Sequence, residues 1–215
     1  MILSCDQPPT AGSEKIIQGT VDRVENEHSV LSDTVTSLLI RSLKTDTLEF
    51  EGREPFIFFK SGYFLSGMEK NAIVVQCPTD STYTLKLYSI KDNTWILSDS
   101  VNGLDAFPIQ FRPVFDDYNF DGITDIYIQA TASNGYSMSR GDLMTIDPST
   151  KKLEVHQEAR ELANMKPDKK IRSVLSEEAI ECGSDLTKAV GIWTNKWING
   201  RLTTIKKDYP CEPLR

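Results

Sequence analysis

The chain has no run of about 20 apolar residues, so no segment is suited to cross a bilayer as a helix. Histidine is scarce: His28 and His156 are the only two, and neither stands beside a serine or cysteine nucleophile motif. The four cysteines, Cys5, Cys77, Cys182 and Cys211, show no C-x-x-C spacing and have no histidine within metal-ligand reach in sequence, so a zinc site is not expected. Positive charge is also short. With 24 Lys and Arg against 31 Asp and Glu, the net charge is −7 at pH 7. That argues against nucleic acid and against an anionic membrane surface, and is compatible with a cationic partner. Carboxylate pairs of the kind a glycosidase uses occur in any β-protein of this acidity, so they carry no weight. We expect a protein that is not an enzyme.

What is present suits a globular domain: 215 residues, 39% hydrophobic and 26% charged. We read residues 13–215 as a single domain and residues 1–12 as a tether. Met1-Ile-Leu-Ser-Cys5 resembles the end of a bacterial lipoprotein signal, where the cysteine carries the lipid. Only four residues precede Cys5, so the charged and apolar parts of such a signal are missing, and a coincidental cysteine is the competing reading. The following DQPPTAGSEK is rich in polar residues, Pro, Gly and Ser, as a tether would be. An exported chain permits a disulfide. Cys182 with Cys211 is the favoured pair, since the tail DYPCEPLR needs an attachment. Cys77 is then a buried small hydrophobe. Connectivity stays open at this point.

Most of the chain has the look of strands. Segment 13–31 has weak periodicity. From Thr34, TVTSLLIRSL is expected to be a strand, followed by strands at FIFF, AIVVQC, YTLKLYSI and TWILS, with a hairpin at Lys91-Asp92-Asn93. FPIQFRPVF and DIYIQATA alternate apolar and polar residues. LMTI and KLEVH flank the turn Asp147-Pro148-Ser149-Thr150. QEARELAN suits one or two helical turns. KIRSVLSEEAIEC and AVGIWTNKWI resume strand character, and Asn199-Gly200 links the latter to RLTTIKK through a type I′ turn. Short strands with little helix predict an all-β fold: propeller-like, barrel or sandwich. Successive hairpins favour a small β-propeller-like arrangement, although no repeat of fixed period is visible.

Between two of these strands lies 117-DYNFDGITD-125. Asp117, Asn119 and Asp121 occupy positions 1, 3 and 5 of a cation loop, the Ile123 carbonyl position 7 and Asp125 position 9. Gly122 supplies the sharp turn at position 6. Oxygen donors at this spacing suit Ca2+, and Mg2+ needs fewer fixed ligands. A helix–loop–helix site is excluded because position 12 is Ile128 where a bidentate Glu is required. The expected site is therefore strand–loop–strand, as in integrin-type propeller blades, with Asp116 as an outer contact.

The lipoprotein-like cysteine, the β-rich pattern, DYNFDGITDIYI and the following SNGYSMSRGDLMTIDPSTKKL together resemble a family of bacterial envelope lipoproteins. Its members bind calcium, are β-propeller-like, and act as periplasmic inhibitors or immunity proteins against lysozyme-like peptidoglycan hydrolases. The resemblance covers roughly residues 70–205 and is strongest at 110–155. It implies that calcium holds the fold through Asp117, Asn119, Asp121 and Asp125, and that nearby loops bind the hydrolase. Some lysozyme inhibitors insert a Ser-Gly-x-x-Tyr loop, and this chain offers Ser61-Gly62-Tyr63 and Asn134-Gly135-Tyr136, neither at that spacing. Asn134 and Tyr136 are the partner-binding candidates. We expect a lipid-anchored monomer in the bacterial periplasm or on the outer surface, touching membrane only through its anchor. The alternative is a calcium-stabilised glycan- or protein-binding module of the envelope, in which Trp193 and Trp197 stack on sugar unless they pack the hairpin.

Overall fold

The computed structural model describes residues 32–65, 67–77, 82–105, 112–132, 138–182 and 187–211. Cys5, His28, Asn134 and Tyr136 lie outside them, as does the tether. Three antiparallel sheets follow one another along the chain. The first contains β1 (Leu48–Arg53), β2 (Phe56–Gly62), β3 (Asn71–Cys77), β4 (Thr82–Lys91) and β5 (Thr94–Asp105). The second contains β6 (Arg112–Asp116), β7 (Asp125–Ala132), β8 (Ser139–Ile146) and β9 (Leu153–His156). After a 3-10 turn at Gln157–Glu161 comes the third: β10 (Ala163–Asp168), β11 (Ser173–Cys182), β12 (Thr187–Ile198) and β13 (Arg201–Asp208). In each sheet the strands pair in chain order, so each is a simple meander.

Local chemistry sets the tightest connections. Asp92 and Asn93 have φ of 50° and 57°, and Asn199 and Gly200 have 52° and 75°. Two successive residues at positive φ make a type I′ turn, whose twist matches that of the paired strands. These two hairpins carry the register Lys91↔Thr94 and Ile198↔Arg201.

Alternation of side chains then stacks the sheets. Ile126, Ile128, Met144 and Ile146 of the second sheet pack against Phe58, Ile73, Val75, Leu85 and Leu87 of the first. Their neighbours Tyr127 and Leu143 point the other way, into a cluster with Met165, Val174 and Leu202 of the third. Even β6 divides, with Val114 in one cluster and Phe115 in the other. The second sheet therefore buries both faces, and the polar-out half of the alternation is lost in β7 and β8. At roughly 1.5–3 kcal/mol for each fully buried large apolar side chain, these two clusters dominate the favourable energy.

The free face of the first sheet is covered by a helix at residues 32–42. This corrects the strand expected from Thr34. Val35, Leu38 and Ser42 are buried, with Leu39 half-buried beside them, a spacing of three and four residues that belongs to a helix. Val35 and Leu38 pack on Ile57, Phe59, Ala72 and Val74. The last carbonyls are capped from the sheet: the Trp95 indole donates to Leu39 O at 2.9 Å, and the Lys70 ammonium to Ser42 O and Thr45 O. Two strands, β1 and β10, were not expected from the sequence. The helical expectation at QEARELAN holds for Gln157–Glu161 as a 3-10 turn, whereas Ala163 and Asn164 open β10.

Candidate functional site

The acidic stretch connects β6 to β7, closed at its base by the Asp116↔Asp125 pair. Each carboxylate in it holds main-chain N–H groups. Asp117 Oδ1 accepts from Asp121 N at 3.1 Å and Oδ2 from Gly122 N at 3.1 Å. Asn119 Oδ1 accepts from Asp121 N at 3.0 Å, and Asp121 Oδ1 from Ile123 N at 2.7 Å. The Asn119 amide also donates to Asp121 Oδ2 at 2.9 Å. Phe120 and Gly122 take positive φ, 63° and 90°, so the chain curls tightly around positions 4 and 6.

Asp125 is the inner wall. Its side chain is fully buried, and its Oδ2 accepts from Tyr118 N at 2.8 Å and Asn119 N at 3.1 Å. Its Oδ1 has no hydrogen-bond partner. A buried carboxylate oxygen without a partner is expensive. Burial pushes the Asp125 carboxyl up to about 7, the two N–H donors oppose this, and the charges of Asp121 and Asp117 add to it.

Against that, among the described residues no three His, Cys, Asp or Glu side chains converge closely enough to hold a metal ion. The loop carboxylates turn toward main-chain N–H groups, and Asp117, Asp121 and Asp125 do not meet at one point. The donor types suit a hard cation, and the orphan Asp125 Oδ1 is the atom such an ion would satisfy. Asn119 Oδ1 and the Ile123 carbonyl are the remaining candidate ligands.

All three sheets hold this loop. Thr124 N donates to Leu65 O in the connection after β2, at 3.0 Å. From the third sheet, the Trp197 indole donates to Tyr118 O at 2.7 Å and Arg172 to Phe120 O at 2.8 Å. The Arg172 guanidinium also lies 5.7 Å from the Phe120 ring centre. Lys169 pairs with Asp116 at 2.9 Å, and Asp116 in turn accepts from Asp117 N. Nothing in the sequence pattern announces Trp197, Arg172 or Lys169 as loop contacts, because each lies some 50 residues or more away along the chain.

The two tryptophans face inward. Trp193 and Trp197 both pack on the cluster between the second and third sheets. The Lys207 ammonium sits 3.9 Å from the Trp193 ring centre, and His156 meets Trp197 edge-on at 4.7 Å. Both rings are half-buried in this cluster, which suits the hairpin-packing alternative. His156 Nε2 also shares a hydrogen with Thr145 Oγ1 at 2.8 Å, and its Nδ1 lies 3.9 Å from Glu158. This row resembles a nucleophile–base–acid line, but Thr145 and His156 are buried, and Glu158 caps Leu202 N. Desolvation lowers the pKa of His156, which keeps it neutral and suits it to packing.

Cys182 and Cys211 form a disulfide with Cα atoms 5.8 Å apart, tying the end of β13 and the tail to β11. Cys77 is free and buried in the first core cluster. Ser61 is buried at the end of β2 while Tyr63 is exposed. The strands flanking Asn134 and Tyr136, β7 and β8, meet at Ala132↔Ser139, one strand length from the acidic loop. No protein-family model matches this chain, and no curated protein or solved structure matches it either.

Proposed function

We propose that this protein is a calcium-binding, propeller-like envelope lipoprotein that binds and inhibits a lysozyme-like peptidoglycan hydrolase. The observation that carries the calcium part is Asp125 Oδ1, a buried and unpartnered carboxylate oxygen at position 9 of a D-x-N-x-D-G-x-x-D loop. A cation bound there would satisfy that oxygen and offset the repulsion of Asp117 and Asp121. The three stacked meanders support the propeller-like reading, each serving as one blade packed face to face on the next. The disulfide supports an oxidising compartment.

The hydrolase partner rests on the resemblance carried by DYNFDGITDIYI and SNGYSMSRGDLMTIDPSTKKL, and a net charge of −7 favours a basic partner surface. The sheets would present the connections between strands for recognition, and Asn134 and Tyr136, which follow β7 in sequence, are the candidates carried by the resemblance. Binding without catalysis is part of the proposal. The test is a pull-down of envelope proteins with and without calcium, followed by a muramidase assay with the purified chain. A co-purifying muramidase slowed at near-stoichiometric inhibitor supports the proposal. Retention on a glycan array with no inhibition would favour the second reading, a calcium-stabilised binding module. Turnover of any substrate would overturn both.

A further inference from the structure

A cavity of about 380 Å3 opens where the end of β5 meets β8 and the 3-10 turn. Its floor is a charge pair fixed from below. Asp142 is 1% exposed, and its Oδ2 accepts from the Tyr83 hydroxyl at 2.7 Å and from Arg160 Nη2 at 2.9 Å. Asp142 Oδ1 accepts from Arg160 Nε. Arg160 Nη1 reaches across to Asp105 Oδ2 at 3.1 Å, which links the two sheets. A fork–fork pair of this kind holds the guanidinium plane in one orientation. Three of the five guanidinium N–H groups are used in these bonds, and among the described residues the other two have no partner.

The rim supplies acceptors. The Asp105 and Glu161 side chains are 80% and 85% exposed, and the exposed Gln157 amide adds a donor and an acceptor. This arrangement discriminates between ligand classes. An anion would meet an Arg160 already neutralised by Asp142 and Asp105, and a Glu161 that pairs with Arg140 at 3.7 Å. A small cation would be held against the guanidinium. Among the described residues an apolar ligand would find only Leu104. A hydroxyl both donates and accepts, so a neutral vicinal diol can take an Arg160 N–H with one oxygen and give its hydrogen to Asp105 or Glu161. The volume lies within the range of small-molecule sites and is sufficient for one sugar ring.

We infer that this cavity binds a neutral pyranose through Arg160, Asp105, Glu161 and Gln157. With no aromatic ring among the described lining residues, hydrogen bonds that compete with water supply the affinity, and a single sugar binds in the millimolar range. The inference uses neither the acidic loop nor a hydrolase partner, so it stands or falls separately from the proposed function.

The experiment is a titration of the isotopically labelled full chain, in calcium, with N-acetylglucosamine, its β-1,4-linked trimer and galactose, followed by amide chemical shifts. The expected result is saturable shifts clustered at residues 103–105, 142 and 157–161 with at least one of these sugars. A tighter trimer would indicate a polymer as the source, and equal affinities a free or terminal sugar. Glu161→Ala and Gln157→Ala alter exposed side chains outside the cores, so both should fold. Each should weaken binding at least about five-fold, consistent with the loss of one hydrogen bond. Absence of saturation with all three sugars, or shifts unchanged in both variants, would overturn the inference. So would saturation of the same amides by agmatine or phosphate in place of sugar.

Discussion

The indole N–H of Trp197, in the last hairpin of the chain, donates to the carbonyl of Tyr118 at 2.7 Å. Tyr118 is the second residue of the acidic loop, and its own N–H is held by Asp125. One residue, through both its N–H and its C=O, thus joins the third sheet to the inner wall of the candidate calcium site. The bond is partly buried, and the Tyr118 ring is itself buried against Tyr127 at 6.0 Å. Docking of the third sheet and ordering of the loop should therefore be one event.

Trp197→Phe tests that coupling. It keeps an aromatic ring beside His156 but leaves the Tyr118 carbonyl without its donor, at a cost of about 1–3 kcal/mol. Denaturant unfolding should show this loss, and calorimetric titration should show weaker calcium binding. A variant less stable but with unchanged calcium affinity would mean that the loop forms independently of the third sheet.

Calcium should raise stability by an amount set by mass action. With free ion about 100-fold above Kd, as for roughly 1 mM calcium and a 10 µM site, the gain is about 2.7 kcal/mol. Asp121→Ala should lose most of this, because it removes the proposed mid-loop ligand together with the acceptor for Ile123 N. Asn119→Asp should bind as tightly or more tightly. Asp125→Asn gives opposite signs: the neutral amide relieves the burial penalty, so the chelated protein melts higher while the calcium response disappears. Thermal unfolding of each variant with calcium and with a chelator decides these points. A wild-type melting temperature unmoved by chelation would leave the loop as a hydrogen-bonded turn.

The parts legible in the sequence were those encoded by neighbouring residues. Asn199-Gly200 specifies its turn because both positions need positive φ, and the strands around 72–77 and 83–90 follow from apolar residues bounded by polar ones. The helix at residues 32–42 forms against the β-favouring composition of TVTSLLIRSL, because the buried positions Val35, Leu38 and Ser42 follow the helical period. Tertiary context decided the rest. Asp142 reads as an ordinary polar residue in an alternating strand, yet it is buried because Arg160, 18 residues on, and Tyr83, 59 residues back, converge on it. Gly141 is similar. A Cβ there would lie 1.8 Å from Ile128 O, a steric requirement set by the β7–β8 pairing and invisible in the local sequence.

The disulfide closes a span of 29 residues. In the chain-entropy view, closing such a loop restricts the unfolded chain and stabilises the fold by roughly 3–4 kcal/mol. Cys182→Ala with Cys211→Ala should lower stability by that order without altering the calcium response, since β11 and the tail do not touch the loop through these residues. Non-reducing peptide mapping checks the pairing first; free thiols at both positions, or Cys77 in a bridge, would contradict it.

Stability should also fall on mild acidification because of His156. Its ring is packed between the second and third sheets, against Thr145 on one nitrogen and the Trp197 ring at its edge. Burial lowers its pKa, and the carboxylates of Glu154 and Glu158 only partly oppose that effect. In the unfolded chain the imidazole titrates near its ordinary value of about 6.5, so below that pH the unfolded state binds a proton that the folded state refuses. The contribution of His156 is thus fully present above about pH 6.5 and declines as pH falls toward the folded-state pKa. His156→Gln can keep a hydrogen bond to Thr145 and cannot titrate, so its stability should be flatter between pH 7 and 5 than that of the wild type. Urea unfolding of both proteins across that range, at saturating calcium to hold Asp125 ionised, isolates the effect. Parallel pH profiles for the two proteins would show that the ring is free to take up a proton within the fold, and that the packing of Trp197 over it does not exclude charge.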